Sequence, residues 1–157
     1  MFIQCDILDE KYTKLRPLNL GHEDCQSKHT FGPAVRMYWL LHYVVSGKGK
    51  YIVNDTEYAV YPGQAFLIRP GEITTYQADE KDPWHYVWSA FDADIDKLFE
   101  LPYILDIPEL KAIFQKIFSE FDFSIDNQSY AIARIWEIVG CLTNNSFTAS
   151  DSPYVTK

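Results

Sequence analysis

The chain has 157 residues, 47% hydrophobic and 23% charged, enough apolar material to bury the core of one domain, with or without an appended subdomain. Its net charge is −8, and the whole excess lies in residues 79–126, where 12 acidic side chains outnumber 4 basic ones, which excludes nucleic-acid binding by this stretch of chain itself. Three cysteines without a C-x-x-C pair argue against a disulfide framework or a structural zinc site, no apolar run approaches the roughly 18 residues of a membrane span, and the N-terminus lacks a signal-peptide pattern, so a reducing, cytoplasmic setting is expected.

Residues 1–34 lack a clear period. Phe2, Ile3, Ile7 and Leu8 read either as one short strand or as an arm packed on the body of the protein, and turn formers such as Asn19, Gly21, Gly32 and Pro33 dominate the remainder of the segment. Residues 36–45 read as the first strand. Tyr38, Leu40, His42, Val44 and Ser46 alternate onto one face, and Met37, Trp39, Leu41, Tyr43 and Val45 onto the other. Both faces are largely apolar, the pattern of a strand covered on two sides. Residues 50–53 and 57–61 flank Asn54-Asp55, a pair that tolerates the positive φ of a tight hairpin. Pro62-Gly63 and Pro70-Gly71 suit type II turns, with strands at 64–69 and 73–78 behind them. A charged loop at 79–83 precedes a last strand at 84–91. Short strands at this spacing predict a small β-barrel or sandwich.

The period then changes. Asp92 or Asp94 is placed to cap a short helix carrying Ile95, Leu98 and Phe99. Asp106-Ile107-Pro108-Glu109 has capping-box spacing, and Leu110, Ile113, Phe114, Ile117, Phe118 and Phe121 behind it keep the i, i+3, i+4 rhythm of an amphipathic helix. A second helix starts near Asp126 and stops at Asn144-Asn145. Its Ile132, Ile135, Val139 and Leu142 alternate like a short coiled-coil seam, expected to mediate dimerisation, or else to pack within the subunit. The expected division is a barrel with its arm over 1–91, a helical dimerisation part over 92–146, and a linker over 147–157.

The chemistry is sparse. No nucleophile has an evident base, and no phosphate-loop or dinucleotide motif is present, so catalysis has little support. The four histidines make no H-x-H or H-x-x-x-H pair, so neither metal nor other cofactor is expected. What remains is a set of polar and aromatic side chains on inward faces: Tyr38, His42 and Ser46 from the first strand, and Tyr76, Tyr86 and Trp88 from the later ones. Phenols and an imidazole supply hydrogen bonds while an indole stacks, the mixture a sugar-like ligand asks for. The same residues also suit a filled barrel.

Four stretches in order, residues 42–49, 61–72, 76–79 and 82–91, resemble the N-terminal effector-binding domain of AraC-type transcription regulators. The likeness covers residues 20–92 and extends more loosely to 145. It implies a cupin-like, jelly-roll β-barrel that binds a small effector, often a carbohydrate, followed by helices that hold a homodimer. It also implies a helix-turn-helix DNA-binding domain, absent from this chain, with residues 153–157 as the entry to it. By position, Tyr76 and Trp88 match rings that contact the sugar in the arabinose-responsive member, and Tyr86 a neighbouring pocket position. Ser46 falls where that member has a pocket arginine, a departure that disfavours arabinose because one hydroxyl does not replace a guanidinium fork. Metal cupins place two histidines where this chain has His42-Tyr43-Val44, which disfavours metal catalysis. The other readings are a cupin enzyme of isomerase or epimerase type and a ligand-free dimerisation module.

Overall fold

A computed structural model of the chain describes residues 1–7, 14–144 and 155–156. The barrel strands are β1 (Leu15–Asp24), β2 (Thr30–Val35), β3 (Trp39–Ser46), β4 (Gly49–Val53), β5 (Thr56–Val60), β6 (Ala65–Ile68), β7 (Ile73–Ala78) and β8 (His85–Ala93). Behind them come a 3-10 turn (Asp96–Glu100), the short β9 (Ile104–Leu105), helices α1 (Pro108–Glu120) and α2 (Gln128–Asn144), and the two-residue β10 (Val155–Thr156). The strands form two antiparallel five-stranded sheets, ordered β1-β8-β3-β6-β9 and β10-β5-β4-β7-β2. This is a cupin-like double-sheet barrel with two helices after it.

Local chemistry sets the turns where the sequence puts them. Asn54 and Asp55 both take positive φ, 50° and 59°, and let β4 pair with β5 through a tight hairpin. Gly63 and Gly71, each after a proline, sit at φ +88° and +82°.

The lead-in is more ordered than its sequence suggests. Residues 15–24 and 30–35, which show no clear period in the sequence, are β1 and β2, the first paired along its length with β8 and the second with β7. β1 carries Pro17 and Gly21 and no clean alternation; its order comes from the backbone ladder that β8 offers, not from its own propensity. Phe2, Ile3 and Ile7 form no strand and are exposed, and Leu8 lies outside the described residues.

Two helix starts also differ from expectation. Asp92 and Asp94 cap nothing: β8 runs through to Ala93, Asp92 pairs with Arg16 at 2.8 Å, and the 3-10 turn begins after Ile95 without a side-chain cap. Helix α1 starts after Ile107, also without a side-chain cap, with Pro108 in its first turn, where a missing N–H costs nothing. Helix α2 is capped by Asn127, whose Oδ1 accepts from Tyr130 N at 3.2 Å.

The first sheet is covered on both faces, as the apolar pattern of β3 requires. Inward, Leu40 and Val44 join Tyr51, Val53, Phe66, Ile68, Tyr76 and Ala90 between the sheets. Outward, Trp39, Leu41 and Tyr43 meet Phe114, Ile117, Ile135, Val139 and Leu142 of the helices, with Tyr43 stacked on Phe114 at 5.1 Å. Barrel and helices thus share one continuous apolar cluster across residue 92. Ile135, Val139 and Leu142, expected at a dimer seam, are fully buried within their own subunit, while Ile132 stays 46% exposed. The 3-and-4 spacing serves an intramolecular contact just as well as an intermolecular one.

Candidate functional site

Between the two sheets lies a cavity of about 380 Å³, lined by side chains from β1, β2, β3, β7 and β8 and from the β2–β3 connection. That volume falls in the range of about 300–1,000 Å³ usual for small-ligand sites. Tyr38, His42, Tyr76, Tyr86 and Trp88 all reach it. Ser46 does not. A bulge between Val44 and Ser46 breaks the alternation of β3 and sets Ser46, exposed, opposite His85.

His42 stands at the centre. Its ring stacks on Phe66 at 4.7 Å, with Tyr86 edge-on at 4.6 Å and Tyr76 tilted at 4.8 Å. Burial first, and then the nearby Arg36 guanidinium, hold its pKa well below the usual histidine value, so the imidazole is neutral. Its Nδ1 has no hydrogen-bond partner although it is buried.

Arg36 supplies the positive charge of the cavity. Its Nη2 donates to the Tyr76 hydroxyl at 3.4 Å, its Cζ lies 4.2 Å over the Phe31 ring, and Phe31 stacks on Tyr76 at 5.5 Å. Its Nη1 is buried without a partner. A guanidinium therefore does reach the pocket, but from position 36 and not from the position that Ser46 fills. On the opposite wall, Trp88 Nε1 donates to Asn19 Oδ1 at 2.8 Å, and the Tyr86 hydroxyl donates to Glu23 Oε2 at 3.1 Å. Burial pushes the phenols of Tyr76 and Tyr86 up, so both remain donors.

The indole of Trp88 lies flat along β1. A Cβ at Gly21 would stand 2.0 Å from Trp88 Cζ2, so only glycine leaves room for the ring there. Sequence reasoning missed Asn19, Glu23, Phe31 and Arg36. All four belong to the lead-in or its junction with β3. The one available signal was a charged or aromatic residue inside otherwise turn-rich sequence.

A second concavity, about 530 Å³, lies outside the barrel between β1 and the α1–α2 loop, bordered by Leu18, Phe123 and Ile132. None of its lining residues holds a buried unpartnered polar atom, so the barrel cavity is the better ligand site. Among the described residues, one trio of side chains converges as metal ligands do: Glu23, Cys25 and His29, at the end of β1 and in its connection to β2.

Comparison with known proteins agrees with this architecture. The chain is 37% identical over 71 residues to the Msm operon regulatory protein of Streptococcus mutans, a match covering 45% of this chain and 26% of that protein. It is 35% identical over 80 residues to the raffinose operon transcriptional regulatory protein RafR of Pediococcus pentosaceus, covering 50% of this chain and 29% of that one. The matched stretches thus span less than a third of either relative. Among solved structures, apo ToxT K231A from Vibrio cholerae superposes with a TM-score of 0.52 at 11% identity, over 86% of this chain and 59% of that one. YhaK from Escherichia coli superposes with a TM-score of 0.50 at 19% identity, over 69% of this chain and 50% of that one. Both share the fold. Residues 17–139 match the AraC-like ligand binding domain, most of the chain from β1 to α2, and the chain belongs to that family.

Proposed function

We propose that the chain senses a small carbohydrate in the barrel cavity and, as a cytoplasmic homodimer, transmits the bound state to a DNA-binding domain outside this sequence. The observation that carries the reading is the pair of buried, unpartnered polar atoms, His42 Nδ1 and Arg36 Nη1, on side chains that line a cavity walled mainly by rings. A buried polar atom without a partner costs about 1–3 kcal/mol, and a ligand hydroxyl removes that cost. The rings of Tyr76, Tyr86 and Trp88 offer faces for the C–H surface of a sugar ring. Two relatives named as operon regulators, one for raffinose, support a sugar as the ligand class and regulation, not catalysis, as the role.

The net charge of −8, with 12 acidic against 4 basic side chains in residues 79–126, supports a separate DNA reader. No helix among the described residues is long and apolar enough to cross a membrane. Dimerisation through the helices falls to their exposed positions, Ile132 and Phe118 among them, since Ile135, Val139 and Leu142 are already used inside the subunit.

A thermal-shift panel of mono- and oligosaccharides tests the ligand class. At about 100 times Kd one-site binding adds about 2.7 kcal/mol to stability. We expect at least one sugar to raise the melting temperature of the native chain and to lose that effect in Arg36→Ala. A panel without any shift at millimolar concentration contradicts the reading.

A further inference from the structure

Glu23 at the end of β1, and Cys25 and His29 in the connection to β2, place a carboxylate oxygen, a thiol sulfur and an imidazole nitrogen within 4.8 Å of one another. We propose that these three side chains form a binding site for a borderline-soft divalent cation, Zn²⁺ foremost, at the rim of the barrel cavity. The site is independent of the sugar reading.

The geometry is close to what such an ion requires. Ligand bonds of about 2.1 Å at a tetrahedral angle set two ligand atoms about 3.4 Å apart. Glu23 Oε1 and His29 Nε2 already stand at 3.4 Å. The sulfur lies within 4.8 Å of both, so side-chain rotation has at most about 1.2 Å to close. A mixed S, N and O set favours Zn²⁺ over Mg²⁺ or Ca²⁺, which take oxygen alone.

The backbone that carries the trio is fastened to both sheets. Cys25 N donates to Trp84 O at 3.1 Å, Ala78 N donates to His29 O at 2.9 Å, and Ser27 Oγ donates to Glu80 O at 2.7 Å. The ligands therefore stand on fixed positions rather than on a free loop.

An outer ring of donors is also present. Tyr86 donates to Oε2 of Glu23, which orients the carboxylate and leaves Oε1 for an ion. Trp84 is completely buried, and its Nε1 has no hydrogen-bond partner. A cysteine sulfur binds such an ion as the thiolate. On binding, the S–H bond breaks, a Zn–S bond forms and one proton leaves to solvent. Water fills the fourth position, or an oxygen of the cavity ligand does, since Glu23 and Tyr86 also line the cavity.

The competing place for an ion is the His22–His85 pair, whose ring nitrogens Nδ1 and Nε2 are 2.9 Å apart on the other side of β1. The two nitrogens are too close to straddle one ion without moving, and they satisfy each other as they stand.

The test is a titration of the reduced, purified chain with Co²⁺ and then Zn²⁺. We expect one ion per chain, a thiolate-to-cobalt charge-transfer band that Zn²⁺ abolishes, and a higher melting temperature with Zn²⁺. Cys25→Ser should remove the band, and His29→Ala should weaken binding about tenfold or more. His29 is exposed, so His29→Ala keeps its fold by circular dichroism and decides the matter even where the buried Cys25→Ser does not fold. Failure to bind stoichiometrically, binding unchanged by His29→Ala, or binding lost on His22→Ala instead overturns the proposal.

Discussion

The Tyr86 hydroxyl donates a 3.1 Å hydrogen bond to Glu23 Oε2 across the β1–β8 ladder, where the two residues are register partners. Both side chains line the cavity, and Tyr86 also holds the His42 ring edge-on at 4.6 Å. One phenol thus connects the lead-in strand, the central imidazole and the rim of the barrel.

Tyr86→Phe should cost about 1.5–3 kcal/mol in urea denaturation, the net range for a hydrogen bond to a carboxylate, with the ring packing on His42 preserved. Loss of more than about 4 kcal/mol would show that the phenol carries a structural load beyond this single bond.

Gly21→Ala places a methyl 2.0 Å from the Trp88 ring, and the ring must move. Overpacking of this kind costs about 1–3 kcal/mol. The displaced indole also reshapes the cavity wall, so the variant should fold, with a lower denaturation midpoint, and lose its sugar-induced thermal shift. A full shift in Gly21→Ala would mean that Trp88 does not shape the site.

Ile135 and Ile132 lie three residues apart on α2 and should behave oppositely. Ile135 is 1% exposed, so Ile135→Asp buries an unpaired charge and should destabilise the chain by more than about 3 kcal/mol. Ile132 is 46% exposed, so Ile132→Asp should leave stability within about 0.5 kcal/mol while lowering the dimer fraction seen by light scattering. Equal stability losses in the two variants would contradict the placement of α2.

Acid should weaken the fold through His42. Its folded pKa is held well below the ordinary histidine value of about 6.5 by burial and Arg36, whereas the unfolded chain titrates near that ordinary value. Below about pH 6.5 the unfolded state therefore takes up a proton that the folded state refuses. Stability is full above that pH and falls on acidification by up to about 1.4 kcal/mol per pH unit from this residue, until the folded pKa is passed. His85 is shifted the same way, by burial and then by His22, with Asp24 opposing, and adds to the trend. Urea midpoints at about pH 7.5 and about pH 5.5 should differ less in His42→Phe than in the native chain. An identical difference would show that His42 is not the group responsible.

The strands from β3 to β8 and both helices were legible because turn chemistry and apolar period agree there. Asn54-Asp55 and the two Pro-Gly pairs mark chain reversals by their own φ preferences, and α1 repeats its apolar residues at helical spacing. β1 and β2 were not legible, because Pro17, Gly21, Gly32 and Pro33 speak against strands and only pairing with β8 and β7 orders them. The cavity inherits this division. Tyr38, His42, Tyr76, Tyr86 and Trp88 lie on or beside legible strands and come together, while Asn19, Glu23 and Phe31 were hidden in the lead-in and Arg36 stands at the very start of the predicted strand. Ser46 fails for a different reason: one bulge after Val44 reverses its face, and alternation carries no trace of a bulge.

The central claim is that the barrel cavity holds the effector, and calorimetric titration of native, Arg36→Ala, Trp88→Ala and Ser46→Ala chains with the sugar selected by the thermal panel tests it most directly. The account predicts saturable one-to-one binding to the native chain, loss of at least about tenfold in affinity (about 1.4 kcal/mol) in Arg36→Ala and Trp88→Ala, and native affinity in Ser46→Ala. Equal affinity in all four chains, or weakening by Ser46→Ala alone, would contradict it.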